Sequence, residues 1–115
     1  MKTIEEIVKD FLQEKLKIPV LFEVPARTIP EKFIVLERVG LGERDHVKTL
    51  SLAVQSISTR SRYDADILDH ITRDVIHDIV FLPEISGIYL SASYDHTDTS
   101  TGRYRYQSVY DISYV

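Results

Sequence analysis

Residues 103–114 alternate without a break: Tyr104, Tyr106, Ser108, Tyr110, Ile112 and Tyr114 fall on one side, Arg103, Arg105, Gln107, Val109, Asp111 and Ser113 on the other. A period of two held over this length predicts a β-strand with one covered and one solvated face, because successive side chains of an extended backbone point in opposite directions. Such a strand cannot stand alone. The rest of the chain must supply neighbouring strands and a layer over the tyrosine side, where rings can be buried while hydroxyls reach water. Interleaved arginine and tyrosine is also the pairing used by single-stranded nucleic-acid binders, but alternation places the two residue types on opposite faces, so no single surface offers both.

The covering layer is legible as two helices. Ile4, Ile7, Val8, Phe11, Leu12 and Leu16 recur at helical spacing, and Thr3 with Glu6 has the form of a capping box, which predicts a helix over residues 4–17. Ser61 with Asp64 opens a second, over residues 62–81, whose apolar face carries Ala65, Leu68, Ile71 or Thr72, Val75 and Ile79. Between them, Pro19 and Pro25 bracket a short strand through Val20, Phe22 and Val24, and residues 26–32 read as an irregular loop. Phe33 to Val39 is a strand whose apolar start suits cover on both faces. The seven residues Gly40 to His46 read as a connecting loop, and Val47 to Ile57 as a return strand with Leu50, Leu52 and Val54 on one face. Ile88, Leu90, Ala92 and Tyr94 mark a further strand, joined to the last by the polar turn His96 to Gly102. The order α-β-β-β-α-β-β predicts a single α+β domain over residues 1–115, with an antiparallel sheet of four to five strands and two helices on one face.

Composition narrows the function classes. The absence of cysteine excludes thiolate metal sites, disulfide scaffolds and thiol nucleophiles. Residues 1–60 hold ten Lys/Arg and nine Asp/Glu, a net of +1, and residues 61–115 hold four and nine, a net of −5. An acidic second half argues against duplex binding, which needs a basic face, though not against duplex passing by. No apolar run reaches the roughly 20 residues of a membrane span, and the acidic opening Met1-Lys2-Thr3-Ile4-Glu5-Glu6 is unlike a targeting peptide. A soluble, cytosolic protein with no membrane partner is expected.

Candidate chemistry is thin. His70 and His77 lie seven apart on the second helix, whereas zinc helices use i and i+4, and no third ligand accompanies them. The turn Asp95-His96-Thr97-Asp98-Thr99-Ser100-Thr101-Gly102 offers oxygen atoms but lacks the alternation and distal Glu of a calcium loop, and is better explained by Asx and Ser/Thr turns. There is no G-x-S-x-G elbow and no glycine-rich phosphate cradle. The expectation is a protein that is not an enzyme and carries no cofactor or metal. A competing class, resting on the polar turn and the four histidines, is a small ligand- or nucleic-acid-binding domain.

Ile18-Pro19-Val20-Leu21-Phe22-Glu23-Val24-Pro25, Phe33-Ile34-Val35-Leu36-Glu37, Ala53-Val54-Gln55-Ser56, Tyr94-Asp95-His96-Thr97-Asp98-Thr99 and Arg103-Tyr104-Arg105-Tyr106-Gln107 follow one another along nearly the whole chain. Together they resemble the tail terminator, or tail completion, proteins of long non-contractile-tailed phages and prophages of Gram-positive bacteria. The resemblance implies a homohexameric ring that sits on the finished tail tube, stops its polymerisation and presents the surface that joins the head connector. Its implied partners are other copies of itself, the tail tube protein, the head connector or stopper protein, and double-stranded DNA in passage only. It implies a location in the host cytoplasm during assembly and then at the head end of the tail in the virion. Head-closure, neck and other minor proteins of the head–tail junction are an alternative of similar size.

No catalytic motif carries this function, so the candidate residues are contacts. Gly42, Glu43, Arg44 and Asp45 in the first connecting loop, Asp98 in the polar turn, and Arg103 and Arg105 on the last strand are expected to meet neighbouring subunits. Asp66, Asp69 and Asp74 on the acidic second helix are candidates to face a DNA channel, where like charge prevents sticking.

Overall fold

The computed structural model describes residues 2–97 and 100–115. Helix α1 (Ile4–Leu16) starts with the expected capping box: Thr3 Oγ1 accepts from the Glu6 amide, and the Glu6 carboxylate accepts from the Thr3 amide. It stops because Lys17 turns left-handed, its amide closing onto the Gln13 carbonyl at 3.0 Å. Strand β1 is only Val20–Leu21, followed by β2 (Lys32–Arg44) and β3 (Val47–Ser58). Helix α2 (Arg62–Ile76) is capped by Ser61, whose hydroxyl accepts from the Asp64 amide at 3.0 Å, and passes into the 3-10 helix α3 (His77–Phe81). Strands β4 (Ile85–Asp95) and β5 (Tyr104–Tyr114) complete the chain.

The five strands form one sheet in the order β1-β2-β3-β5-β4. The two hairpins, β2–β3 and β4–β5, are antiparallel, and β3 and β5 pair antiparallel over their full length at the centre. The sheet is nonetheless mixed rather than wholly antiparallel, since β1 runs parallel to β2. The reason is the connection: residues 22–31, with Pro25 and Pro30, are too long and irregular for a hairpin and carry the chain back to the end from which β1 also started.

The helices cover one face. Val8 and Leu12 of α1, Leu68 and Ile76 of α2 and Ile79 of α3 close over Ile34, Leu36, Leu50, Leu52, Val54, Tyr110 and Ile112. The tyrosine side of β5 thus turns to the helices, with Tyr110 wholly buried and Tyr104, Tyr106 and Tyr114 half-buried. Glu5 pins α1 to the sheet through Arg38 at 2.7 Å. A smaller core, Phe33, Val35 and Ile57 with Leu21 and Val24, lies on the opposite face beneath the 22–31 segment. That is why four consecutive residues, Phe33 to Leu36, are all buried.

One connection differs from the sequence expectation. Gly40 to Arg44 continue β2 as regular strand, paired with Ser51 to Val47, and only Asp45 and His46 form the turn. Both have positive φ, 51° and 69°, the geometry of a two-residue hairpin turn that matches strand twist. The glycines that suggested a loop sit in extended backbone, after a bulge at Val39.

Candidate assembly interface

The helix-free face of the sheet is where the structure departs most from an ordinary solvated surface. Gln55 Nε2 donates to Gln107 Oε1 at 2.9 Å and to Glu37 Oε2 at 3.3 Å, and Gln107 Nε2 donates to the Tyr94 hydroxyl. The residues come from β2, β3, β5 and β4, so one hydrogen-bonded chain of side chains crosses four strands. Register places them together: Gln55 faces Gln107 and Gln107 faces Tyr94. Further along, Ser51 Oγ donates to Asp111 Oδ1 at 2.7 Å, again between facing residues. Gln55 is buried, and what the chain holds in set positions toward another folded surface is its exposed ends, Glu37 and Tyr94.

Of the candidate contact residues, Gly42, Glu43, Arg44 and Asp45 lie together at the exposed tip of the β2–β3 hairpin. Arg105 lies at the opposite end on the helix-free face, facing Ile57, with Arg103 just before β5; both are half-buried. The backbone of Arg105 is held by the turn, its amide donating to Thr97 Oγ1 at 3.1 Å and its carbonyl accepting from the His96 amide at 2.8 Å. Asp95 organises that turn: Oδ1 accepts from the Thr97 hydroxyl at 2.6 Å and amide at 3.0 Å, and Oδ2 meets Arg62 at 2.7 Å. The Thr97 hydroxyl, and with it Thr97's amide and Arg62, holds the Asp95 carboxyl below its ordinary pKa. Asp98 lies outside the described residues.

The three aspartates of α2 proposed to face a channel separate. Asp74 is exposed, and Asp66 is half-buried with a carboxylate 3.4 Å from His70. Asp69 is buried instead: it accepts from Ser108 Oγ at 2.7 Å and Ser93 Oγ at 3.3 Å, and lies 3.2 Å from Arg73 Nε. It joins α2 to β4 and β5, and its side chain does not belong to the acidic outer surface. Burial, reinforced by the Asp69 charge, pushes the neighbouring Tyr110 phenol well above its ordinary pKa. The sequence hides this role because Ser93 and Ser108 are distant polar residues whose meeting depends on how β4 and β5 pair.

Sequence reasoning also missed the glutamine chain. Alternation could have placed Gln55 and Gln107 on the non-core face, but not opposite one another. Among the described residues no three His, Asp or Glu side chains gather as a metal-ligating group, and no helix is long and apolar enough to cross a membrane. Open depressions of about 340 and 380 Å³ beside α1 are lined by residues including Glu6, Lys9 and Phe22.

No protein-family model and no curated protein matches the chain. The fold has a solved counterpart. It is similar to a chain in a structure described as the virion of a native gene transfer agent particle, with a TM-score of 0.69 and 10% identity over 90% of this chain and 83% of that one. The chain thus shares its fold with a chain of a virion structure.

Proposed function

We propose that this chain is a structural protein of a phage-like particle that forms a ring on the end of the tail tube, terminates tube polymerisation and provides the head-joining surface. The observation that supports it is the shared fold with a chain of a gene transfer agent virion structure over nine-tenths of this sequence. The ordered resemblance of the fragments from Ile18 to Gln107 to tail terminators supplies the finer role. On this reading the protein works by shape rather than by turnover. Its partners are further copies of itself, the tube protein, the head connector and passing DNA, and it ends in the virion at the head–tail junction.

The reading makes a direct demand on tail length. Purified chain added to polymerising tail tubes is expected to arrest growth and to appear as an added disc at one tube end by electron microscopy. Tubes that grow unchanged, with the protein bound instead to isolated head connectors, would transfer the assignment to head closure. Binding to neither would remove it.

A further inference from the structure

Among the described residues, both outer edges of the sheet are open. At one side, β4 pairs only with β5, leaving its other edge unpaired along Ile85–Asp95. At the other, β1 covers β2 only at Ile34 and Val35, so the outer edge from Leu36 to Arg44 has no strand beside it. An edge strand presents unpaired amides and carbonyls, and proteins that remain monomeric blunt it with proline, charged side chains, bulges or a covering segment. Strand β4, Ile-Ser-Gly-Ile-Tyr-Leu-Ser-Ala-Ser-Tyr-Asp, contains neither proline nor any basic residue.

The two edges are matched. Around β4, Tyr89 is 68% and Tyr94 44% exposed, and Phe81 of α3, which packs on β4, is 83% exposed; on β2, Val39 is 62% and Leu41 51% exposed. Strand directions alternate from β2 through β3 and β5 to β4. A copy placed beside β4 with its β2 inward therefore continues the alternation as an antiparallel pair. The pairing irregularities are confined to these two strands, between Arg38 and Gly40 in β2, and between Ile85 and Gly87 and Leu90 and Ala92 in β4. Bulges increase local twist and bend a strand, which curves the sheet toward closure at the seams between copies.

We propose that β4 of one copy pairs antiparallel with the Leu36–Arg44 half of β2 in the next copy. The contact is heterologous, so it covers both edges of every subunit and closes into a ring when the rotation allows. Pairing β4 with β4 about a two-fold axis would leave Val39, Leu41 and the β2 edge uncovered. This inference rests on the ring reading above and names the surface through which the ring forms.

The chain's lack of cysteine makes the test clean. Gly42 and Gly87 lie on one row of the helix-free face, linked through Thr49 and Ser113, and an added Cβ meets nothing within 4 Å at either position. Within one chain they are three strand spacings apart, roughly 14 Å. A bismaleimide too short to span that distance should join Gly42→Cys protein to Gly87→Cys protein when the two are mixed, and build a covalent ladder from the double variant. Neither variant alone should cross-link. Glu37→Cys with Ala92→Cys, another row of the same face, repeats the test, and whichever of the four β2–β4 combinations couples reports the stagger. A dimer from Gly87→Cys alone would establish the two-fold contact and overturn the proposal. So would an oligomer with no β2–β4 coupling, or a monomer at every concentration. Variants that still arrest tube growth without coupling would leave the capping role intact and discard only this contact.

Discussion

Gln55 and Gln107 stand opposite each other on β3 and β5, with the Gln55 amide donating to the Gln107 carbonyl oxygen at 2.9 Å on the helix-free face. Gln55 is almost fully buried although no helix lies over it, because its neighbours on the adjacent strands close around it. Replacing Gln55 with alanine removes two hydrogen bonds and their packing, an expected loss of about 2 kcal/mol. A double-mutant cycle with Gln107→Ala should show a coupling of about 0.5–1 kcal/mol by denaturant unfolding. Strict additivity would mean that the pair does not act as a unit.

Asp69 is the other buried polar junction. Asp69→Ala removes the acceptor shared by the Ser108 and Ser93 hydroxyls, leaving them only each other at 3.0 Å, and leaves Arg73 without its carboxylate; it is expected to cost about 3 kcal/mol. Asp69→Asn keeps an acceptor and should lose less. If the two variants unfolded at the same denaturant concentration as the parent, the junction would be energetically silent.

The β4–β5 turn should loosen in acid. The carboxyl of Asp95 titrates below its ordinary value because the Thr97 hydroxyl and amide donate to it. A depressed folded pKa means stabilisation that is present above the unfolded-state pKa and is lost as pH falls through the lower, folded one. Exchange of the Thr97 amide should therefore quicken relative to intrinsic rates in that acidic window. Asp95→Asn, with no charge to lose, should remove the pH dependence of the opening.

The hairpin tip holds a correctable strain. His46 sits at φ 69°, where a side chain is disfavoured and glycine is not. His46→Gly is expected to raise stability by about 0.5–1 kcal/mol, since the Asp-Gly pair it creates is a preferred type I′ turn. A lower midpoint in thermal unfolding would show that the imidazole makes a contact worth more than the strain.

How much was visible beforehand varies by element. Thr3 with Glu6 and Ser61 with Asp64 announced both helix starts, and the alternation from Tyr104 to Tyr114 announced β5 and its buried side. The hairpin is legible but its turn is shorter than Gly40 and Gly42 suggest, because both glycines lie in strand beyond a bulge. The candidate contact residues stand out in the sequence only as charged or glycine positions. Asp69 shares the helical spacing of the acidic residues but is an internal acceptor.

Local structure is legible in the sequence: where each helix begins, which residues of β5 share a face, and that a sheet must be covered on its tyrosine side. Those properties arise from capping and periodicity within a few residues of one another, so they survive without knowledge of the fold. In β4, by contrast, the alternation puts Ile88, Leu90, Ala92 and Tyr94 on one face, and the bulge after Leu90 turns Ala92 and Tyr94 to the other. Tertiary structure alone decided that β5 lies between β3 and β4, that β1 joins in parallel, and that Gln55 meets Gln107 across 52 positions of sequence. Pairing at that distance is chosen by packing two helices over a common core, and the same choice leaves the edges of β4 and β2 open at opposite sides of the molecule.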